Sequence, residues 1–174
     1  MKLSKGYVHI YTGEGKGKTT AAIGLALRAA GAGMKVFIVQ FLKGKVSSEF
    51  LLLANLSDSI VFAHYGRDCL IKDKPTEKDK TLALRGLKEA RKAIVSGKYD
   101  LVILDEANVA VLFNLISVDD LLELIKNKPE HVELVFTGRK ADPKLIEAAD
   151  LVTEMKEIKH YYTQGVLARD GIEH

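Results

Sequence analysis

Between residues 12 and 20 the chain reads Thr-Gly-Glu-Gly-Lys-Gly-Lys-Thr-Thr, a stretch dominated by glycine and lysine. Glycines at 13, 15 and 17 let the backbone turn its N–H groups inward. A helix opening near Lys18 directs its positive end at the same point, and Lys18 adds a full charge. The natural guest is a polyphosphate. Thr19 follows the lysine, where such loops place a hydroxyl on Mg²⁺. Gly13, Glu14, Gly15, Lys16, Gly17, Lys18, Thr19 and Thr20 are therefore the candidate nucleotide-binding residues. The motif is a variant, because Thr12 stands where the strict spacing has glycine. Glu14 is a second oddity, since a carboxylate beside phosphates is repelled unless it turns outward or pairs with Lys16.

A second signal is Leu101-Val-Ile-Leu-Asp-Glu106, four apolar residues ending in two acids. Carboxylates at the carboxyl end of a buried parallel strand lie where open α/β sheets bind ligands. Beside a phosphate loop, an acid here supports Mg²⁺, and the residues leave open whether Asp105 or Glu106 does so. The plainer alternative is an acidic helix start, with Asp105 as N-cap and Glu106 in the first turn. Arg139, in Thr137-Gly-Arg139, is expected at the same sheet edge, within reach of phosphate oxygens. His9 reads as a core or edge residue and His64 is undecided. His131, His160 and His174 are scattered without zinc-helix spacing. Cys69 reads as an inert thiol. Phe41, Phe62 and Tyr65 gather at strand ends, where core packing is the default and a flat-ligand surface the sharper reading.

These residues need elements to position them. Tyr7 to Thr12 is a β-rich run, and Ala22, Leu25, Ala26 and Ala29 then repeat at helical spacing until Gly31 and Gly33. Lys35 to Phe41 is nearly continuous apolar sequence, the mark of a strand covered on both faces. Ile60 to His64, Leu101 to Leu104 and Val132 to Thr137 are further strands. Ala83, Leu87, Ala90 and Ile94 share one face of a long helix after Pro75. Leu121, Leu122 and Ile125 mark another helix, and Leu145, Ile146 and Ala149 a short one. Leu151 to Ile158 reads as a half-exposed edge strand, and Gly66 to Thr76 as a surface excursion. Strands alternating with helices predict a three-layer α/β domain with a mainly parallel sheet and right-handed crossovers.

The 174 residues suit one domain, 1–174, with no repeat, low-complexity segment or linker. Apolar residues at 47% and charged residues at 28% exclude wholesale disorder. A net charge of +3 is far from the dense basic stripe of a nucleic-acid binder, and Lys88 to Lys92 reads as a solvated helix face. No apolar run spans a bilayer, no secretory signal is read at Met1 to Gly6, and a single cysteine fits a reducing compartment. The expectation is a cytoplasmic protein without nucleic-acid or membrane partners.

Taken together, the blocks resemble the P-loop type ATP:corrinoid adenosyltransferases. The resemblance runs through Thr12 to Ala22, Val39-Gln-Phe-Leu-Lys-Gly44, Leu104-Asp-Glu-Ala-Asn108, Pro129-Glu-His131 and Thr137-Gly-Arg139. It continues in Ala149 to Met155 and the tail Lys159-His160, Gly165, Ala168 and Gly171-Ile-Glu173. It implies a P-loop NTPase-like α/β/α fold. The implied reaction is attack of a Co(I) corrinoid on the 5′ carbon of ATP with release of triphosphate, in cobalamin biosynthesis or salvage. Lys18 and Glu106 would be the catalytic residues, with Thr19, Asp105 and Glu106 around Mg²⁺; Glu106 acts as metal support, since Co(I) needs no general base. An electron donor for cobalt and a homodimer are implied as well. Some members place a Phe and a Trp after the third strand; here the sequence is Tyr65-Gly-Arg-Asp-Cys69 and Trp is absent. The competing enzyme class is a small kinase or NTPase that cleaves the terminal phosphate.

Overall fold

The computed structural model describes residues 3–43, 48–56, 58–67 and 75–173. Cys69, His174 and most of the expected excursion at 66–76 lie outside them. Among the described residues six strands form one sheet: β1 (Val8–Thr12), β2 (Val36–Phe41), β3 (Ile60–Tyr65), β4 (Leu101–Asp105), β5 (Glu133–Thr137) and β6 (Leu151–Glu154). The order is β3-β2-β4-β5-β1-β6, and every neighbouring pair is parallel. The mainly parallel expectation thus becomes a wholly parallel sheet.

Side-chain alternation along the strands sorts the core into two layers. Val36, Ile38, Leu101, Ile103 and Val135 face one side, against helices α1 (Lys18–Gly31) and α2 (Ser48–Leu56). Phe37, Val39, Val102, Leu104, Leu134 and Phe136 face the other. That side is covered by α3 (Glu77–Val95), α4 (Ala107–Leu112), α5 (Val118–Asn127) and α6 (Pro143–Ala148). The predicted stripe of α3 is buried as Ala83, Leu87, Ala90 and Ile94, and the helix opens on a capping box between Thr76 and Asp79. In α5 the buried residues are Leu121 and Leu124, with Leu122 and Ile125 at the margin. β6 is an edge strand as expected, but all four of its residues are exposed and it ends at Glu154.

The aromatic cluster at the strand ends is packing. Phe41 is fully buried, and Phe62 stacks on Phe50 with ring centroids 4.0 Å apart. His9, in β1, pairs its Nε2 with Glu133 Oε1 at 2.6 Å, so it is a structural strand residue. His64 bonds the Lys43 carbonyl oxygen. Among the described residues no helix is long and apolar enough to cross a membrane.

Candidate nucleotide-binding site

Because β1 lies between β5 and β6, the loop leaving it is gripped from both sides. Thr12, the residue that breaks the strict motif, is buried, and its Oγ1 accepts a hydrogen bond from the Ala141 N–H at 3.1 Å. Gly15 donates its N–H to the Met155 carbonyl at 2.7 Å. A Cβ on Gly15 would stand 2.6 Å from that same oxygen, so the glycine is required by close backbone approach. Gly17 has φ 116° and precedes α1, a left-handed corner that opens the helix toward the loop.

Lys18 is only 8% exposed although it opens the helix. Its Nζ donates to the carbonyls of Gly13 and Gly15, both at 2.7 Å. Burial and the nearby Arg139 guanidinium draw its pKa below the usual lysine range, against the pull of Glu106, Glu14 and Asp105.

Strand parity assembles the acidic half. Gln40, Asp105 and Thr137 alternate in phase with Ile38, Ile103 and Val135, so all three point to the α1 face at the carboxyl end of the sheet. Thr19, in the first turn of α1, meets them there. Asp105 Oδ1 accepts from Thr19 Oγ1 at 2.9 Å and from Thr137 Oγ1 at 2.6 Å. Its Oδ2 accepts from Gln40 Nε2 at 2.8 Å. Gln40 and Thr137 are fully buried parts of the site that the sequence reading passed over; their phase with the core was the available signal.

Glu106 departs from both parts of the helix-start alternative. Asp105 ends the strand, and Glu106 is the N-cap residue of α4, with left-handed backbone (φ 63°, ψ 19°) and no side-chain cap bond. That conformation is uncommon for a residue bearing a Cβ. It is held by the Thr137 hydroxyl, which accepts the Glu106 N–H at 3.0 Å. The Glu106 side chain lines the cavity instead of capping the helix. Burial and then the Asp105 carboxylate raise its pKa, opposed by Lys43, Lys18 and Arg139.

The cavity measures about 500 Å³. Gly15 through Thr20 and Ile23 form its floor, Glu106 and Arg139 one rim, and Lys43, Ser48 and Glu49 another. His160, Gly171, Ile172 and Glu173 of the C-terminal segment close it from a third side, a wall that motif reading did not foresee. Arg139 reaches the rim because Asn108 Nδ2 donates to the Gly138 carbonyl at 3.1 Å, fixing the turn after β5. Its Nη1 pairs with Glu14 Oε2 at 3.0 Å, so Glu14 has Arg139 as partner and not Lys16. Lys16 turns toward the tail, donating to Glu173 Oε1 at 2.9 Å and the Ile172 carbonyl at 2.8 Å.

The donor set fits Mg²⁺. Thr19 Oγ1, Asp105 and Glu106 are hard oxygens beside the loop, and the raised pKa of Glu106 marks two adjacent carboxylates that a divalent cation would relieve. Among the described residues no three His, Cys, Asp or Glu side chains form a metal cage. Mg²⁺ commonly does without one, taking one or two carboxylates together with substrate phosphates.

This geometry is that of a phosphate-binding cavity at a parallel sheet edge. Residues 4–174 match the sequence profile of ATP:corrinoid adenosyltransferase BtuR/CobO/CobP. The chain belongs to this adenosyltransferase family. A corrinoid adenosyltransferase of Pseudomonas aeruginosa is 35% identical over 170 residues, covering 97% of this chain and 84% of that protein. The corrinoid adenosyltransferase of Escherichia coli strain K12 is 31% identical over 171 residues, covering 98% and 86%. Among solved structures, flagellar accessory protein FlaH from Methanocaldococcus jannaschii superposes with a TM-score of 0.57 at 15% identity. That match covers 87% of this chain and 72% of FlaH, and it speaks to the three-layer fold alone. As a family member, this chain is an ATP-dependent enzyme that adenosylates corrinoids.

Proposed function

We propose that residues 1–174 form one nucleotide-binding domain that transfers the 5′-deoxyadenosyl group of ATP to a Co(I) corrinoid in the cytoplasm, in cobalamin biosynthesis or salvage. The observation that carries this reading is the gathering of three cations, Lys18, Arg139 and Lys43, with the glycine-rich loop around one cavity. These surround the place where a triphosphate would lie. The substrate's cobalt electron pair forms the bond to the 5′ carbon while the carbon–oxygen bond breaks, and that bonding pair leaves on the triphosphate. Cobalt passes from Co(I) to Co(III) in the same step. The nucleophile needs no deprotonation, so the residues have two tasks: to hold the 5′ carbon in line and to stabilise charge growing on the leaving group.

Lys18 and the loop amides other than that of Gly15, which is bonded to Met155, serve the second task, and Arg139 joins by exchanging Glu14 for a phosphate oxygen. Thr19, Asp105 and Glu106 would hold Mg²⁺, which would supply further charge neutralisation on the triphosphate. Asp105 is itself kept oriented by Gln40 and Thr137. A reductant of the corrinoid is an outside partner in this scheme, and a homodimer is the expected assembly.

The test is the fate of the phosphates. Phosphorus NMR of protein, Mg-ATP and chemically reduced corrinoid is expected to show triphosphate growing in step with the light-sensitive adenosylated product. ATP alone should stay nearly intact. Stoichiometric ADP without triphosphate would overturn the reading in favour of a kinase or NTPase.

A further inference from the structure

We propose that Lys16 is not a phosphate ligand but a positioning residue. Its ammonium anchors the C-terminal segment 160–173 to the phosphate loop, and that segment then serves as a wall of the nucleotide site.

Three contacts use the full donor capacity of the Lys16 ammonium. Nζ donates to Tyr161 Oη at 3.2 Å, to the Ile172 carbonyl at 2.8 Å and to Glu173 Oε1 at 2.9 Å. All three acceptors belong to the tail. The tail in turn is organised around the same point. The Tyr161 hydroxyl donates to Glu173 Oε1, and Arg169 donates its backbone N–H to Glu173 Oε2 at 2.8 Å. The Arg169 guanidinium lies 5.1 Å from the centre of the Tyr161 ring.

The segment buries little of itself. A single 3-10 turn, Tyr161–Gln164, buries no residue, and residues 162 to 172 are all exposed. Apolar burial therefore contributes little to its docking, and a hub of charge-assisted hydrogen bonds must carry the attachment. That hub sits on the central residue of the phosphate loop, between Gly15 and Gly17, so the loop and the tail wall are tied at one atom. His160 and Gly171 to Glu173 line the cavity beside Gly15 to Thr20. The position of this wall relative to the phosphates is thus fixed through Lys16. The inference rests on the proposed ATP site for its functional consequence, while the anchor itself is independent of any reaction.

The experiment compares the full-length chain with Lys16→Ala, Glu173→Ala and the double variant in two measurements. Trypsin cleavage at Lys159 and Arg169, both exposed, is followed without nucleotide. Dissociation of Mg-ATP is measured without corrinoid. An anchor predicts faster tail cleavage and ATP affinity weaker by about tenfold in either single variant, with the double variant no worse than the singles. The charge-exchanged pair Lys16→Glu with Glu173→Lys should recover part of both losses. Tail cleavage unchanged in Lys16→Ala would overturn the anchor. Weaker ATP binding in Lys16→Ala with unchanged or tighter binding in Glu173→Ala would instead make Lys16 a phosphate ligand competing with the tail. Because the cleavage readout uses neither ATP nor corrinoid, loss of the proposed reaction and loss of the anchor register separately.

Discussion

The two lysines of the phosphate loop stand two residues apart and live in opposite surroundings. Lys18 is buried, aims at its own loop and sits behind a set of buried partners: Asp105, Gln40 and Thr137. Lys16 is exposed and joins a tail with almost no buried surface. In the first cluster each polar atom is enclosed, so removing one partner leaves another without compensation. In the second, water can replace a lost bond, and salt can screen what remains. Near neighbours in one motif can therefore be given different roles, Lys18 being proposed for the leaving triphosphate and Lys16 for the cavity wall.

The sharpest way to break this contrast is Lys18→Ala. Losing a charged donor at the leaving group should lower turnover by about a hundredfold to a thousandfold. Circular dichroism would confirm a folded chain, and near-normal adenosylation by that chain would refute the role of Lys18. Next in size is Glu106→Gln, expected to cost about tenfold to a hundredfold in activity, with partial recovery in excess Mg²⁺ or in Mn²⁺. A general base would show no such recovery. Because burial and Asp105 hold the Glu106 pKa above the ordinary carboxylate range before any cation binds, Mg²⁺ affinity of the unaltered protein should rise with pH through that higher range. The glutamine variant should lack this limb of the profile.

The smallest effect belongs to the tail. Bonds from Arg169, Tyr161 and Lys16 depress the pKa of Glu173 far below its ordinary value. A depressed carboxylate contributes its stabilisation above the unfolded-state pKa and loses it as pH falls through the folded-state one. Tail protection should therefore persist from neutral pH to below the point where ordinary glutamates protonate. At neutral pH, 1 M salt should speed hydrogen exchange in 161–173 by about a few fold and leave exchange in Asp105 to Ala110 unchanged. Equal salt sensitivity in the two regions would erase the distinction between them.

Legibility in the sequence divides along the same line. The sheet's strands, α1, α3 and the acids at the end of β4 were readable because each rests on a local pattern: an apolar run, a helical period, a glycine cluster. α2 and α4 were not singled out, the first because Phe50 to Leu53 is apolar without a clean period, the second because six residues are too few to show one. The contribution of Gln40 and Thr137 depends on which neighbours lie beside β2 and β5, and strand order is not written in any local window. For Glu14 the local sequence offered only an outward turn or a pairing with its neighbour Lys16. The observed partner, Arg139, is 125 residues away. The tail is harder still, since its docking has no hydrophobic signature to find.

The Lys18 ammonium, bonded to the carbonyls of Gly13 and Gly15, also sets an admission threshold for the pocket. Two of its three N–H bonds already have acceptors, so an entering anion meets one open donor and competes with loop oxygens for the other two. A guest with one oxygen to offer gains little from that exchange. A chain of phosphates offers several in succession, to the ammonium and to the neighbouring amides together, and so the balance tips in its favour. By this route the loop would favour a long anion over a single phosphate of equal charge.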